Sequence, residues 1–174
     1  MNAATAAPTW RLFLGLWPTQ ETRAAILRHA ELWQWPAAAS RTLPERLHVT
    51  LHFIGPVDPA RIPSLCTALA TPWKGCRLQF DRTEVWPGGI AVLEAAVVPE
   101  ELRALHTALA DTLLREGLPV EERRFRPHVT LARKAHGASR PAQFTPVAWE
   151  ADARYLLLRS LPGGRGYEAL QVFG

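Results

Sequence analysis

The four-residue string His-Val-Thr-Leu occurs twice in this chain of 174 residues, at positions 48–51 and again at 128–131. The two copies are separated by 80 positions, close to half of the chain. Chance rarely repeats four residues without a change in so short a sequence. The repeat therefore predicts two similar halves, and we interpret the two copies as two parts of one site.

Each copy has the residue types of a β-strand. Alternate side chains of a strand point to opposite faces, so His48 and Thr50 are predicted to share one face. Val49, Leu51 and Phe53 are predicted to share the other face, which suits a buried core. The first copy should therefore direct an imidazole and a hydroxyl to the same side of a sheet.

The second copy places His128 and Thr130 together by the same alternation. Imidazole has an ordinary pKa of about 6.5, so it can serve as an acid or a base near neutrality. One ring can accept a proton from water while the other, protonated, donates to a departing alkoxide. Hydroxyl and guanidinium groups can hold the other phosphoryl oxygens. The pattern predicts phosphoester hydrolysis without a metal, and strand geometry leaves open which histidine is the acid.

Arginines are concentrated around the second copy. Arg133 lies five positions after His128, at the predicted strand end, and its planar guanidinium suits a phosphate. Arg126 is a second candidate for the same contact. The neighbouring Arg123 and Arg124 are predicted to lie on a solvated face.

Two further segments have candidate roles at the cleft. The Gly-rich turn with Arg165 and Tyr167 is predicted either to border the cleft or to be a plain hairpin. Trp86, beside a Pro-Gly-Gly turn, could offer a stacking face to a base. Other tryptophans are assigned to the core: Trp10, Trp17 and Trp33.

A metal site is the main alternative chemistry. His48, His52 and His128 could supply three nitrogens if His52 shares the strand face of His48. Zinc hydrolases usually complete such a set with a carboxylate or another close ligand, and neither copy contains one. We therefore expect no metal and no cofactor, and we expect His52 in the cleft wall or in solvent. Three histidines receive no role: His29, His106 and His136.

Composition sets broad limits. The chain is 48% hydrophobic and 21% charged, which is ordinary for a globular protein, and its formal charge is +4. Cys66 and Cys76 are too few for a disulfide framework and are expected to be small buried residues. There is no apolar run of membrane-span length, and the N-terminal MNAATAAPTW lacks the features of a signal peptide. We expect a single domain over 1–174, a monomer, and a cytoplasmic location.

Proline, glycine and apolar periodicity predict alternating strands and helices. Strands are predicted over 10–17, 47–54, 77–86, 90–98, 128–133, 155–160 and 167–173. Helices are predicted over 21–33 after an N-cap at Thr19, over 64–70, where Pro63 should interrupt an earlier turn, and over 100–116. The segment 134–146 is predicted to be a loop. Hairpin turns favour antiparallel pairing, so we predict an α+β fold with two similar lobes.

The two copies, together with residues around them, resemble the paired motifs of the 2H phosphoesterases. The residues that carry the resemblance are His48-Val-Thr-Leu with Phe53-Ile-Gly, and Arg126-Pro-His-Val-Thr-Leu with Arg133. Within that superfamily the chain is most similar to the RNA 2′,3′-cyclic phosphodiesterases, also called 2′-5′ RNA ligase-like proteins. The opening RLFLGLWP and the closing turn at 160–167 extend the similarity over nearly the whole chain.

This resemblance implies a bilobal fold with pseudo-two-fold symmetry, mainly antiparallel sheets, outer helices and a central cleft. It implies hydrolysis of an RNA 2′,3′-cyclic phosphate to a 2′-phosphomonoester, with RNA ends or cyclic nucleotides as partners. His48 would then protonate the departing 3′ oxygen and His128 would activate water. Thr50, Thr130 and Arg133 would bind the phosphate. Some relatives are associated with RNA ligation, so 2′-5′ ligase activity is a further expectation.

Two other functions stay open at this point. A non-catalytic RNA-end or nucleotide-binding module would use the cleft only to hold a phosphate, and its binding would weaken with salt. A metal-dependent phosphohydrolase would lose its activity to a chelator and regain it with added metal. Two histidines in matched contexts favour acid–base catalysis over both.

Overall fold

Most strands of the chain belong to one antiparallel sheet, seen in a computed structural model that describes residues 8–174. The strands are β1 (Trp10–Leu16), β2 (Ser40–Arg41), β3 (Val49–Val57), β4 (Cys76–Phe80), β5 (Arg82–Trp86), β6 (Ile90–Glu94), β7 (His128–Arg133), β8 (Val147–Ala151), β9 (Tyr155–Ser160) and β10 (Tyr167–Phe173). The helices are α1 (Gln20–Ala30), α2 (Ile62–Ala68) and α3 (Glu100–Arg115).

The large sheet has the order β10-β9-β1-β3-β7-β6-β5, and β2 pairs with β7 beside this path. A second sheet contains β4 and β8. Every registered pair is antiparallel, from β1–β3 to β6–β7. The predicted α+β class with antiparallel pairing is confirmed, and the two halves share one sheet.

The two motif strands are neighbours at the centre of the sheet. β3 and β7 meet at Val49 opposite Val129, and both valines are fully buried. An antiparallel pair has a local two-fold axis, so one residue further along each strand His48 is level with Thr130. By the same relation Thr50 is level with His128. The pairing therefore brings the two copies of the motif together on one face.

Apolar residues of the helices and strands form the core on the opposite face of the sheet. In α3 the predicted spacing is confirmed, since Leu102, Leu105, Leu109 and Leu113 are all buried. Helix α1 begins after Thr19, whose hydroxyl accepts a hydrogen bond from the backbone N–H of Thr22. The core strands contribute alternate residues, as in β1 with its leucines: Leu12, Leu14 and Leu16.

Two sequence predictions about elements are wrong, and one strand was missed. The predicted strand over 77–86 is two strands, because the chain leaves one sheet at Asp81 and enters the other, so that β4 pairs with β8 and β5 with β6. Strand β8 was not predicted. Pro63 lies within the first turn of α2, where a missing N–H costs no helix hydrogen bond, so it does not interrupt the helix.

A β-bulge in β3 changes which residues face the core. The register with β1 shifts between Thr50 and His52, so that Leu51 is the extra residue. After the bulge His52 is buried at 3% exposure, whereas Phe53 is 59% exposed. The predictions for both residues are therefore wrong, because strict alternation assigned Phe53 to the core and His52 to the face of His48.

His52 is packed against helix α3. Its Nε2–H donates to the backbone carbonyl of His106 at 2.9 Å, and the two rings stack with centroids 3.9 Å apart. The ring of His106 also stacks on Phe125, 4.0 Å away. This aromatic stack connects the bulge of the first motif strand to the segment just before the second one. Phe125 directly precedes Arg126, whose carbonyl anchors His128, as described below.

The remaining predictions concern single residues and the chain ends. Trp33 is buried at 4% exposure, while Cys66 and Cys76 are free thiols half-buried against the core. The prediction about a signal peptide concerns residues that include 1–7, which lie outside the described part of the chain. Among residues 8–174, no helix is both long enough and apolar enough to cross a bilayer.

Acid should destabilise the fold through buried neutral histidines. Burial lowers the pKa of His29 to about 4, and burial followed by the nearby His52 lowers the pKa of His106 to about 4. The unfolded chain, with an ordinary pKa near 6.5, binds more protons between these values, so stability falls as the pH falls. We expect His29 alone to reduce the free energy of unfolding by about 2 kcal/mol from pH 7 to pH 5.

Urea unfolding at both pH values measures this loss. In the variant His29→Gln the amide oxygen can still accept from the indole N–H of Trp33, which donates to His29 at 3.2 Å in the wild type. The variant should lose much of the pH dependence. An unfolding free energy that is equal at pH 7 and pH 5 in the wild type would contradict the expectation.

Candidate active site

The two motif histidines are anchored in the same way. The Nδ1–H of His48 donates to the backbone carbonyl of Arg46 at 2.6 Å, and that of His128 donates to the carbonyl of Arg126 at 2.7 Å. A carbonyl can only accept, so the proton of each neutral ring is on Nδ1 and Nε2 is the free nitrogen. The hydroxyl of Thr50 donates to Nε2 of His48 at 3.1 Å.

A second bulge brings Arg133 onto the face of these histidines. The register between β6 and β7 shifts between Thr130 and Ala132, at the same place in the motif as the bulge in β3. Without it, Arg133 would lie on the face opposite His128, because the two are an odd number of residues apart. With the bulge the side chain is exposed beside the site, and it forms no ion pair with any described carboxylate.

Burial and local charge set the protonation of the two rings. Burial lowers the pKa of His48; the carbonyl of Arg46 opposes this, and the positive charges of His128 and Arg133 lower it further. Burial also lowers the pKa of His128; the Arg126 carbonyl and the carboxylate of Glu94 raise it, while the positive charge of Arg126 lowers it. A carboxylate therefore acts on His128, whereas the charges that act on His48 are positive.

Aromatic side chains surround His48. Trp17 stacks on the imidazole with centroids 4.7 Å apart and an interplanar angle of 4°, and Tyr167 meets the ring edge-on at 5.3 Å. Phe13 lies 5.4 Å away. A Cβ atom at Gly15 would be 3.7 Å from Cδ2 of His48 and only 3.0 Å from the carbonyl oxygen of Val49, so glycine allows this close packing.

The prediction that Trp17 is a core residue is wrong. Phe13, Gly15 and Trp17 alternate with the buried leucines of β1, so they face the site and not the core. The period-2 pattern of β1, with a glycine inside the strand, is the signal that could have identified this second face. Trp10 is partly buried, and the guanidinium of Arg159 lies 4.0 Å from its ring centroid.

Arg126 is held by two carboxylates. Its Nε donates to Glu94 Oε1 at 2.6 Å, and its Nη2 donates to Glu94 Oε2 at 2.6 Å and to Glu84 Oε2 at 2.9 Å. Glu94 is 4% exposed, so the guanidinium neutralises a buried charge. Nε and Nη2 of Arg126 are therefore engaged by carboxylates, and the predicted phosphate contact of this residue stays a prediction.

The same cluster positions an aromatic ring against His128. The indole N–H of Trp86 donates to Glu84 at 2.9 Å, the guanidinium of Arg126 lies 4.7 Å from the ring centroid, and the ring lies 4.4 Å from His128. Trp86 is half-buried. Each motif histidine therefore has a tryptophan beside it, and the prediction that Trp86 lies at the site agrees with this position.

A cavity of about 310 Å³ lies next to His48. Its walls include Trp17, Arg46 and the Gly-rich turn with Arg165 and Tyr167. Of the two interpretations of this turn, the structure favours the one in which it borders the cleft.

The alternative metal site does not fit this geometry. It requires His52 on the face of His48 and His128, whereas the bulge places His52 on the core side, stacked on His106. Within residues 8–174, no group of three or more His, Cys, Asp or Glu side chains is arranged to hold a metal ion.

Comparison with known proteins identifies the family of this chain. The family model of the 2′-5′ RNA ligase superfamily matches residues 20–159, a span that includes both motif strands and the site between them. The chain belongs to this superfamily. The resemblance that the paired motifs indicated is thereby confirmed.

Individual relatives point to the same group. An RNA 2′,3′-cyclic phosphodiesterase of Geobacillus stearothermophilus is 32% identical over 170 residues, which covers 86% of this chain and 46% of that protein. This chain thus spans about half the length of that relative. The crystal structure of Escherichia coli LigT in its apo form has a TM-score of 0.81 and 25% identity, covering 96% of this chain and 98% of LigT. LigT complexed with 3′-AMP has a TM-score of 0.80 at 25% identity, covering 95% and 98%.

The electrostatic influence of Glu94 on His128 can be tested by titration. Because the carboxylate raises the pKa of His128, the substitution Glu94→Gln should lower that pKa further. Glu84→Gln is the matched control, since Glu84 binds the same guanidinium but is not among the groups that shift His128. Proton NMR of the imidazole gives the value directly. An equal shift of the His128 pKa in both variants would show that the effect passes through Arg126 alone.

Proposed function

We propose that this chain is an RNA 2′,3′-cyclic phosphodiesterase that opens the cyclic ester to a 2′-phosphomonoester by acid–base catalysis with His48 and His128. The observation that supports this most directly is the pair of carbonyl-anchored imidazoles on one face of the sheet. The name of the Geobacillus relative and the 3′-AMP complex of LigT support the substrate class.

The proposed reaction requires one proton to leave water and one to reach the departing oxygen. One imidazole accepts a proton through its free Nε2 while the water oxygen bonds to phosphorus. The bond from phosphorus to the 3′ oxygen breaks, and the second imidazole, protonated, donates to that oxygen. The product carries a 2′-phosphate and a 3′-hydroxyl, and both rings have then exchanged their protonation states.

The other groups at the site stabilise the charge on phosphorus. Thr50 and Thr130 flank the two imidazoles across the β3–β7 pair. In the complex, the Thr50 hydroxyl would turn its proton from Nε2 of His48 to one non-bridging oxygen, and the Thr130 hydroxyl would donate to the other. Arg133 supplies a guanidinium without an ion-pair partner among the described residues. Arg126 acts indirectly, because it holds Trp86 against His128. The proposal needs no metal or other cofactor.

The roles of the two histidines follow from the family resemblance, which makes His48 the acid and His128 the base. The charges around the free site favour the opposite distribution. Glu94 stabilises a proton on His128 and outweighs the opposing charge of Arg126, whereas His128 and Arg133 disfavour a proton on His48. The bound phosphate adds negative charge between the rings and favours protonation of both. The assignment therefore depends on the complex and calls for a direct test.

Alanine substitution of either histidine tests the proposed function itself. We expect His48→Ala and His128→Ala each to lower kcat on a nucleoside 2′,3′-cyclic phosphate by about 10²–10⁴-fold, because each removes one proton-transfer group. Circular dichroism and thermal unfolding should show that both variants still fold. Chelator should leave the wild-type rate unchanged, and chromatography should identify a 2′-phosphate product. Full activity in either variant would rule out the mechanism.

A change of leaving group separates the acid from the base. A p-nitrophenyl phosphodiester releases an anion that needs little protonation, so loss of the general acid should matter less for it. If His48 is the acid, His48→Ala should lose at least tenfold less activity on this ester than on the cyclic phosphate. His128→Ala should lose about the same factor on both substrates, since water must still be activated. The reverse pattern would exchange the two roles.

Ligation, oligomeric state and location remain predictions. The matched superfamily is the 2′-5′ RNA ligase superfamily, which supports testing whether a 5′-hydroxyl end can replace water as the nucleophile, so that the bond from phosphorus to the 5′ oxygen forms while the bond to the 3′ oxygen breaks. A monomer in the cytoplasm remains our expectation from the sequence.

A further inference from the structure

The cavity next to His48 has a direct structural connection to that histidine. Residues 44–46 form a single 3₁₀ turn, and the carbonyl of Arg46 at its end accepts the Nδ1–H of His48. The preceding carbonyl, of Glu45, accepts the indole N–H of Trp17 at 3.3 Å. The turn therefore holds the imidazole and its stacked indole through its backbone, while the Arg46 side chain is left to line the cavity.

The turn that joins β9 to β10 also lines the cavity. The backbone N–H of Leu161 donates to the carbonyl of Gly166 at 2.9 Å and closes this turn. Gly166 has φ +107°, and a Cβ atom there would lie 3.6 Å from Nε of Arg46. The guanidinium of Arg46 thus lies against the backbone next to Arg165. Two arginines from distant parts of the sequence meet at the edge of one cavity.

The charge of this cavity differs from that of the other side of the site. Neither Arg46 nor Arg165 forms an ion pair with a described carboxylate, although Glu45 also lines the cavity. Arg165 uses its Nε to donate to the carbonyl of Pro162, and its terminal nitrogens have no hydrogen bond to any of residues 8–174. Beside His128, by contrast, the guanidinium of Arg126 is paired with two carboxylates, Nε with Glu94 and Nη2 with both Glu84 and Glu94. An anion besides the phosphate between the two histidines is therefore expected to bind in the cavity on the His48 side.

We propose that this cavity binds the nucleotide immediately 5′ of the cyclic phosphate, with the connecting phosphodiester between Arg46 and Arg165. The RNA strand then leaves the site across β9 and β10 and not across β5 and β6. This inference rests on the proposed function and specifies its substrate as an oligonucleotide end. A volume of about 310 Å³ suits a group of nucleotide size, and paired guanidiniums suit its phosphate.

The test compares three substrates: a nucleoside 2′,3′-cyclic phosphate, the same compound with a 5′-phosphate, and a dinucleotide that ends in the same cyclic phosphate. In the wild type, kcat/KM should rise by about tenfold from the first substrate to the third, the gain expected from one charge-assisted contact. The 5′-phosphate should give only part of the gain. The gain should shrink as salt increases.

Variants that remove one positive charge test whether the increase in kcat/KM depends on the cavity arginines. In Arg46→Gln and Arg165→Gln the ratio of kcat/KM between dinucleotide and nucleoside substrates should fall towards one. Arg77→Gln is the matched control, because Arg77 is an exposed arginine on β4 that pairs with Glu150 in the other sheet. This control should keep the wild-type ratio.

Three results would overturn the proposal. They are a wild-type ratio near one, a ratio that neither cavity variant changes, and a 5′-phosphate that supplies the whole gain, since phosphate alone would then be recognised. If no substrate is hydrolysed, the proposed function fails. Titration with a dinucleotide and a nucleoside, each ending in a 3′-phosphate, then decides the subsite separately through the ratio of their Kd values in the wild type and both variants.

Discussion

The pairing of Val49 with Val129 is the interaction on which the site depends. It joins two antiparallel halves at the centre of one sheet, and its local two-fold relation sets each histidine beside the threonine of the other motif. The valines are fully buried, so a slip of one residue in either strand would turn the imidazole of that strand into the core. Apolar burial on one face therefore fixes the register of the polar groups on the other, although the motif copies are far apart in the chain.

Much of this arrangement could be predicted from the sequence, because both copies of the motif have the same polar residues on one strand face and apolar residues on the other. The positions of His48, Thr50, His128 and Thr130 and the leucine face of α3 followed from spacing alone. The two bulges did not, since a bulge depends on how neighbouring strands register and leaves no mark in residue types. That is why Phe53 and His52 were assigned to the wrong faces.

The role of Arg126 shows a second limit of the sequence. Its neighbours along the chain suggested a phosphate contact, but its partners Glu84 and Glu94 come from other strands and meet it only in the folded sheet. A buried carboxylate is stable only beside a cation, and Arg126 supplies that cation to Glu94. Arg46 and Arg165 form no such ion pair with a described carboxylate. The two sides of the site therefore differ in charge although their catalytic groups match.

The two bulges occur at the same place in each motif, so the half-turn that relates His48 to His128 also relates Phe53 to Arg133. A phosphodiester rotated end over end would find the same imidazoles and hydroxyls. It would meet a phenyl ring where it had met a guanidinium. Because Phe53 stands on one side where Arg133 stands on the other, the two orientations of the substrate are not equivalent. The site therefore has a direction although its acid–base groups are duplicated.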